Sequence, residues 1–388
     1  MSQEIVVLGS GYAGAGAIQS LEDELDDADI TWVSDQDYHF VLHESHRIIR
    51  DPSVQDKITI PVEGIKSSDT EFVKGTVTGV DNDEREVELE GGDTVSYDYL
   101  VVALGSSTAY YGIPGLEENA LTLKSLDDAL EIHEQVQTAA RSASRDDPAQ
   151  VVVGGAGLSG IQSAGEIAEF RDRHNAPIDI YLVEALEEIF PPGDAEVQGA
   201  IRHQLEKRNI EILTNDPITE ADEDAIHFDE RDSLEYDVFE WAGGIGGREA
   251  FADSEIENEH ARLNAGADFQ TSDERVFAIG DSAVIEQGGE RPAPPTAHAA
   301  WDAAELVGEN VRRAIEGQTL REWHYEDAGT LVSVGDAAIA HEVKVGGNEL
   351  PIRTFNSMPA EMLKKGAAAR WIASVSSWDR ALEAWTVL

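Results

Sequence analysis

Two runs of glycine carry the first chemistry legible in this chain. Gly9, Gly11 and Gly14 in "VVLGSGYAGAG", and Gly155, Gly157 and Gly160 in "VVVGGAGLSG", repeat one G-x-G-x-x-G spacing. Each run follows an apolar strand pattern and leads into a helical one. In such a unit the first glycine makes a tight turn, the second lets a phosphate approach the backbone, and the third lets helix pack on strand. The unpaired N–H groups at the helix start then face the negative charge. The chemistry is the holding of a dinucleotide pyrophosphate. A single loop of this kind is weak evidence, but two in the same context point to two dinucleotides.

Side chains beyond the loops refine this. The strand "IDIYLV" ends at Glu184, where a carboxylate accepts hydrogen bonds from adenosine ribose hydroxyls and repels a 2′-phosphate, which favours NADH over NADPH. The matching strand of the first unit, "ITWVSD", ends in Ser34 with Asp35 next. Either Asp35 reaches back to the ribose or Ser34 makes a weaker contact. "VFAIGDSA" supplies a late Gly280-Asp281 after a strand, and "PAPPTAHAA" starts a helix behind prolines.

The elements that must position these residues repeat as well. Strand, loop, helix and strand recur, and both units close on Tyr-Asp, an apolar strand and glycine: "YDYLVVALG", reaching Gly105, and "YDVFEWAGG", containing Gly243. From Gly9 to Asp98 is 89 positions and from Gly155 to Asp237 is 82, so one nucleotide-binding unit has been duplicated. The Gly280-Asp281 strand and the proline-started helix lie outside the repeat and are expected to complete the first unit. The fold expected is α/β, with two duplicated Rossmann-like dinucleotide-binding domains and a small C-terminal unit. The boundaries expected are 1–122 with 245–325, then 123–244, then 326–388.

Composition narrows the function classes. Acidic residues outnumber basic ones 77 to 28, for a formal charge of -49, and they are scattered through the chain. Such a field repels nucleic acid and suits a cytoplasm of molar salt, where the Debye length is about 3 Å. There is no cysteine, which removes disulfide relays and thiolate metal sites. No apolar run is long enough to span a bilayer and no signal-peptide pattern opens the chain, so a cytoplasmic location is expected.

With "VVLGSGYAG", "DYHFVLHE", "YDYLVVALGS", "VVVGGAGLSGIQSAGEIAE", "YLVEA", "WAGG", "VFAIGDSA", "PPTAHAA" and "GTLVSVG" in order, residues 4 to 335 resemble the type II, single-subunit NADH dehydrogenases. The resemblance implies FAD on the first loop, NADH on the second, Asp281 at the FAD ribityl and phosphate region, and a membrane quinone as acceptor. Sulfide:quinone oxidoreductases and disulfide reductases share the fold but need cysteines. The chain departs from the family's pattern at Gln162, where a glutamate is usual, and at His298, where a glutamine is usual. Glu166 lies one helical turn beyond Gln162. Gln162, Glu166 and His298 are therefore the candidate catalytic residues. The helix behind Pro294-Pro295, with Thr296, Ala297 and His298, is expected to aim its N–H groups at the flavin pyrimidine edge. Two other readings stand beside quinone reduction: a soluble carrier or oxygen as acceptor, or a redox sensor that binds both cofactors without turnover.

"YHFVLHESHRII" holds His39, His43, Glu44 and His46, but not at a zinc-protease spacing, so no metal is expected and packing or flavin-lining roles are assigned to His39 and His43. At the C-terminus, Leu363, Ala367, Trp371, Val375, Trp378, Leu382 and Trp385 fall on one helical stripe, with Lys364, Lys365, Arg370 and Arg380 beside it. That stripe reads either as a helix lying on a membrane surface, peripheral on the inner face of the cell membrane, or as a core or homodimer contact.

Overall fold

The computed structural model describes residues 2–289 and 291–388. The chain opens with β1 (Gln3–Leu8), α1 (Tyr12–Glu24) and β2 (Ala28–Ser34), and continues through the short helix α2 (Arg47–Arg50), β3 (Glu71–Lys74) and β4 (Tyr99–Val102). β1 lies between β2 and β4, all parallel, with β3 outside β2. Beside β4 the fifth position is taken by a parallel strand from far downstream, Val276–Ala278. Ile5, Val7, Leu8, Leu100, Val101 and Phe277 are fully buried, as expected of a parallel sheet covered on both faces.

A 17-residue helix, α3 (Leu126–Ser142), leads into the second unit. Its start is fixed by a reciprocal cap between Ser125 and Asp128. Then come β5 (Ala149–Gly154), α4 (Leu158–His174), β6 (Ile178–Val183), α5 (Ala195–Lys207), β7 (Ile210–Leu213) and β8 (Val238–Trp241), with strand order β7-β6-β5-β8, all parallel. The two sheets place their glycine loops at the same end of equivalent strands, β1 and β5, which is where open parallel sheets bind ligands.

The chain then supplies β9 (Val276–Ala278), the strand already placed beside β4, and α6 (Ala297–Ile315). Helices α1 and α6 pack through small residues. A Cβ on Gly16 would meet the Ala304 Cβ at 2.7 Å, and one on Gly308 would meet the Ser20 carbonyl oxygen at 2.4 Å. The last segment contributes an antiparallel sheet of β10 (Thr330–Val334), β11 (Ala337–His341) and β12 (Thr354–Asn356). Its β10–β11 turn lies on α4, where a Cβ on Gly165 would come within 2.4 Å of the Gly335 nitrogen.

The single C-terminal stripe expected from the sequence is corrected by the structure. Two helices form, α7 (Met358–Val375) and α8 (Trp378–Ala384), because Ser377 accepts the Arg380 N–H and starts a new helix. The stripe is divided between environments. Trp371 and Val375 are each 1% exposed within the core of the first unit, whereas Trp378 is 68% and Leu382 66% exposed. The buried face of α7 runs through Ala360, Lys364, Ala368, Trp371, Ile372 and Val375, so Lys364 is an interior cation and not a surface one.

Glu240, on β8, is a buried carboxyl with one partner: Ser163 Oγ donates to its Oε1 at 2.7 Å. Burial pushes its pKa from 4.5 to about 7, and Ser163 offsets that only in part. The folded chain then holds a proton that the unfolded chain has already lost between those values. The contribution of Glu240 to stability is therefore full below pH 4.5 and is lost as pH rises through 7. Glu240→Gln is expected to flatten this slope by up to about 3 kcal/mol, measured as thermal stability from pH 5 to 8 in molar salt. A slope that the substitution leaves unchanged would show that the carboxyl is ionised throughout.

Candidate functional site

The first glycine loop is shaped by contacts that admit no side chain. Gly9 has φ +99°, and a Cβ on Gly14 would lie 1.9 Å from the Gly9 carbonyl oxygen. Gly11 differs, for nothing lies within 4 Å of where its Cβ would be. The second loop repeats this geometry. Gly155 has φ +96°, a Cβ on Gly160 would meet the Gly155 oxygen at 1.9 Å, and Gly157 again faces open space. In both loops the middle glycine, which caps the following helix, leaves the backbone bare on the open side. These residues fit a pyrophosphate.

Around the first loop the sequence-distant residues converge. A Cβ on Gly9 would sit 2.4 Å from the Ala103 oxygen, and one on Gly280 would sit 2.8 Å from the Ala13 Cβ and 3.4 Å from the Ala300 Cβ. The loop, the end of β4, Gly280 and the start of α6 therefore meet. Gly105 N–H donates to Ser282 Oγ at 2.8 Å, Ser106 Oγ donates to Asp281 Oδ2 at 3.2 Å, and Arg262 Nε donates to the Asp281 carbonyl at 2.9 Å. Thr296 caps α6 by accepting the Ala299 N–H, while the N–H groups of Ala297 and His298, in the first turn, have no intrahelical partner. Ser34 Oγ donates to Ser10 Oγ at 2.9 Å, and the exposed Asp35 lies 3.5 Å behind it. Of the two side chains proposed for the ribose, Ser34 is the one that touches the loop.

Around the second loop, a Cβ on Gly155 would come within 2.6 Å of the Gly243 Cα, which brings the end of β8 into the site. Glu184 follows β6, and its carboxylate accepts the Ala156 N–H at 2.9 Å and the Leu186 N–H at 3.0 Å. One loop amide thus holds the carboxylate beside the cradle.

The three candidate catalytic residues do not form one group. Gln162 and Glu166 share the buried face of α4. Ser333 Oγ donates to Gln162 Oε1 at 3.3 Å, and Arg50 Nε lies 3.1 Å from Glu166 Oε2. Burial raises the Glu166 pKa to about 7 against the pull of Arg50 and Arg47. His298 is exposed at the start of α6 and stands edge-on to Tyr325, with ring centroids 5.9 Å apart.

The packing role expected of His39 holds, and beside the first loop the structure adds partners that the sequence did not connect, Tyr12 and Lys364 among them. His39 is fully buried: its Nδ1 lies 2.8 Å from the Ser10 carbonyl, and Trp371 Nε1 donates to its Nε2 at 2.8 Å. Tyr12, the first residue of α1, hydrogen-bonds His43 Nδ1, and Glu44 is paired with Arg47 and with Lys364 Nζ, the latter at 2.6 Å. His46 Nε2 lies 3.0 Å from Ser333 Oγ. The histidines of "YHFVLHESHR" thus turn to separate partners. The sequence signal was an acid-and-histidine run followed by two arginines; Lys364, 320 positions away from Glu44, gave none.

Comparison with known proteins places these features in a family. Residues 3–304 match the family model for pyridine nucleotide-disulphide oxidoreductases. The chain is 31% identical over 355 residues to a type II NADH:quinone oxidoreductase of Staphylococcus saprophyticus, covering 86% of this chain and 88% of that protein. It is 29% identical over 353 residues to the Staphylococcus aureus protein of the same name, with the same coverage. Among solved structures, the NDH2 of Plasmodium falciparum in complex with NADH superposes with a TM-score of 0.83 at 16% identity, covering 100% of this chain and 98% of that one. The sulfide:quinone oxidoreductase of Aquifex aeolicus superposes at 0.80 with 17% identity, covering 98% and 92%.

Proposed function

Because the chain belongs to the pyridine nucleotide-disulphide oxidoreductase family, and within it to the type II NADH:quinone oxidoreductases, we propose that it is a single-subunit, FAD-dependent enzyme that oxidises NADH and reduces a quinone. The observation that carries this reading is the pair of glycine cradles, each closed at its first and third glycine and open at its second. The absence of cysteine takes disulphide chemistry, present in the family's name, out of this chain's repertoire.

FAD, when bound, supplies the redox chemistry, taking a hydride from NADH and passing the electron pair to the quinone. The protein binds and orients. Gly9, Gly11 and Gly14 hold the FAD pyrophosphate, Gly105, Gly280 and Asp281 its ribityl and phosphate region, and Ser34 and Asp35 its ribose. Thr296 and Ala297 bring the positive end of α6 to the flavin, where it stabilises the negative charge gained on reduction. Gly155, Gly157, Gly160 and Gly243 hold NADH. Gln162, Glu166 and His298 are assigned to proton and acceptor handling in the same reading. FAD thus belongs to residues 1–122 and 245–325, and NADH to 123–244.

Two measurements test the reading. Purified protein in molar KCl is expected to be yellow, to bleach anaerobically with NADH, and to recover its colour with a short-chain quinone. Protein that bleaches and is recoloured only by a ferredoxin would transfer the assignment to a soluble acceptor. Glu184 sets the second test: kcat/KM for NADH is expected to exceed that for NADPH at least tenfold, about 1.4 kcal/mol, with Glu184→Ala narrowing the ratio. Equal values in the parent would remove Glu184 from the ribose site.

No helix among the described residues is long and apolar enough to cross a membrane. Contact with the quinone pool is assigned to the exposed apolar side chains of the C-terminal helices, Met358 and Met362 on α7 and Trp378 and Leu382 on α8. Co-sedimentation with anionic vesicles that is lost in Trp378→Ala/Leu382→Ala supports a peripheral membrane site. Loss of a dimer in the same variant would assign the patch to a second copy.

A further inference from the structure

We propose that Tyr111, a residue of the first unit, is an aromatic cover for the nicotinamide half of the dinucleotide held by the second glycine loop. The inference rests on the reading above, in which Gly155, Gly157, Gly160 and Glu184 hold NADH, and deepens it by naming the contact at the other end of the ligand.

Exposed side chains mark the two ends. Among the described residues, eight large hydrophobic side chains are exposed, and six of them lie between positions 345 and 382. The other two are Leu186, 55% exposed, and Tyr111, 68% exposed, and both border the second loop. Leu186 N–H donates to Glu184 Oε1 at 3.0 Å, which sets Leu186 beside the carboxylate assigned to the adenosine ribose. The Tyr111 hydroxyl donates to the Gly243 carbonyl at 3.4 Å, and the Gly243 Cα is the atom that a Cβ on Gly155 would meet.

Strand order gives the direction between these ends. Glu184 follows β6, the glycine loop follows β5 and Gly243 follows β8, and the three strands are neighbours in that order. A dinucleotide with its adenosine ribose at Glu184 and its pyrophosphate on the loop runs on toward the end of β8. Its nicotinamide half therefore reaches Tyr111.

The backbone holds Tyr111 in place against its own preference. Tyr111 has φ +54°, a left-handed conformation that a bulky residue rarely adopts, and Gly112 follows at +67°. The turn is tied to the second unit on both sides of the tyrosine. Before it, Ala109 N–H donates to the Gly244 carbonyl at 3.2 Å and Trp241 Nε1 donates to the Ala109 carbonyl at 2.9 Å. After it, Ala221 N–H donates to the Pro114 carbonyl at 3.0 Å. The phenol itself lies where a side chain at position 244 would stand: a Cβ on Gly244 would meet Tyr111 Oη at 2.0 Å and Cζ at 2.8 Å. A ring fixed this firmly and still 68% exposed offers its open face to a planar ligand.

ADP-ribose separates the two ends, because it carries the adenosine ribose and pyrophosphate of NAD⁺ without the nicotinamide. With oxidised, FAD-loaded protein in molar KCl, equilibrium dialysis measures both ligands and no electrons move. Tyr111→Ala is expected to weaken NAD⁺ at least fivefold and ADP-ribose less than twofold, while Tyr111→Phe keeps both within twofold, since the ring makes the contact. Gly244→Ala displaces the phenol without removing it and is expected to weaken NAD⁺ as Tyr111→Ala does, with no further loss when the two are combined. Without nucleotide, Tyr111→Gly is expected to melt no lower than the parent, because glycine adopts the left-handed turn freely; a merely structural tyrosine would lower the melting temperature. Unchanged NAD⁺ affinity in Tyr111→Ala, equal weakening of NAD⁺ and ADP-ribose, additive losses at 111 and 244, or a Tyr111→Phe that fails like the alanine variant overturns the cover. A parent that binds neither nucleotide overturns the reading of the second loop itself. If Tyr111→Ala fails to fold, Gly244→Ala decides.

Discussion

Gly11→Ala is expected to yield a colourless protein that is at least as stable as the FAD-free parent, and Gly157→Ala a yellow protein that NADH no longer bleaches. Both glycines have φ values an alanine adopts freely, -72° and -76°, and an added methyl meets no protein atom within 4 Å. The substitutions therefore leave the fold intact and lower the entropy of the unfolded chain, which stabilises the cofactor-free form by about 0.4–1 kcal/mol. What the methyl does meet is the ligand. A loss of at least tenfold in affinity, about 1.4 kcal/mol, is expected at the matching cradle and none at the other. Equilibrium dialysis of FAD and anaerobic NADH titration check the two halves. If both variants bind both cofactors as the parent does, the open sides of the loops do not hold pyrophosphates.

The second large effect is at Trp371. This indole is 1% exposed, lies 5.0 Å from the Tyr12 ring and 4.8 Å from the Trp301 ring by centroids, and donates to His39, which in turn contacts the first loop through Ser10. Trp371→Ala is expected to cost about 3–5 kcal/mol through the cavity it leaves, with FAD retention falling in step. Removing residues 358–388 is expected to precipitate the protein, because Ala368, Ile372 and Val375 belong to the same core. Trp378→Ala, on the exposed side of the break, is expected to stay within about 0.5 kcal/mol. Chemical unfolding in molar KCl separates these outcomes. A soluble, yellow truncated protein would show that α7 is an attachment and not part of the core.

The contrast between these tryptophans shows where the sequence was legible. The cradles were, because Gly9, Gly14, Gly155 and Gly160 answer to local sterics that any strand, loop and helix of this kind imposes. The periodicity of the C-terminus is helical in sequence and in structure, yet it does not reveal the break at Ser376 and Ser377, since a serine that caps one helix looks like a polar residue within another. Lysine usually lies at the surface, so the sequence places Lys364 beside the apolar stripe and not within the core. Its partner Glu44 is remote in sequence, and only the tertiary fold brings them together. Ser34, an oddity where a carboxylate is usual, became intelligible once Ser10 was seen opposite it.

The packing of α1 against α6 also governs the order in which this chain can mature during synthesis. The sheet of the second unit is contiguous from Ala149 to Trp241 and is complete as soon as that stretch clears the ribosome, with only the outer face of α4 left to wait for β10 and β11. The sheet of the first is not. Its strand β4 lacks its outer neighbour until β9 emerges, and Gly16 and Ser20 on α1 have no helix to rest on until α6 follows, nearly 300 positions after they were made. The nascent first unit must therefore carry an uncovered apolar helix and an open sheet edge through most of translation, and its flavin can be loaded only after the second cradle is already built.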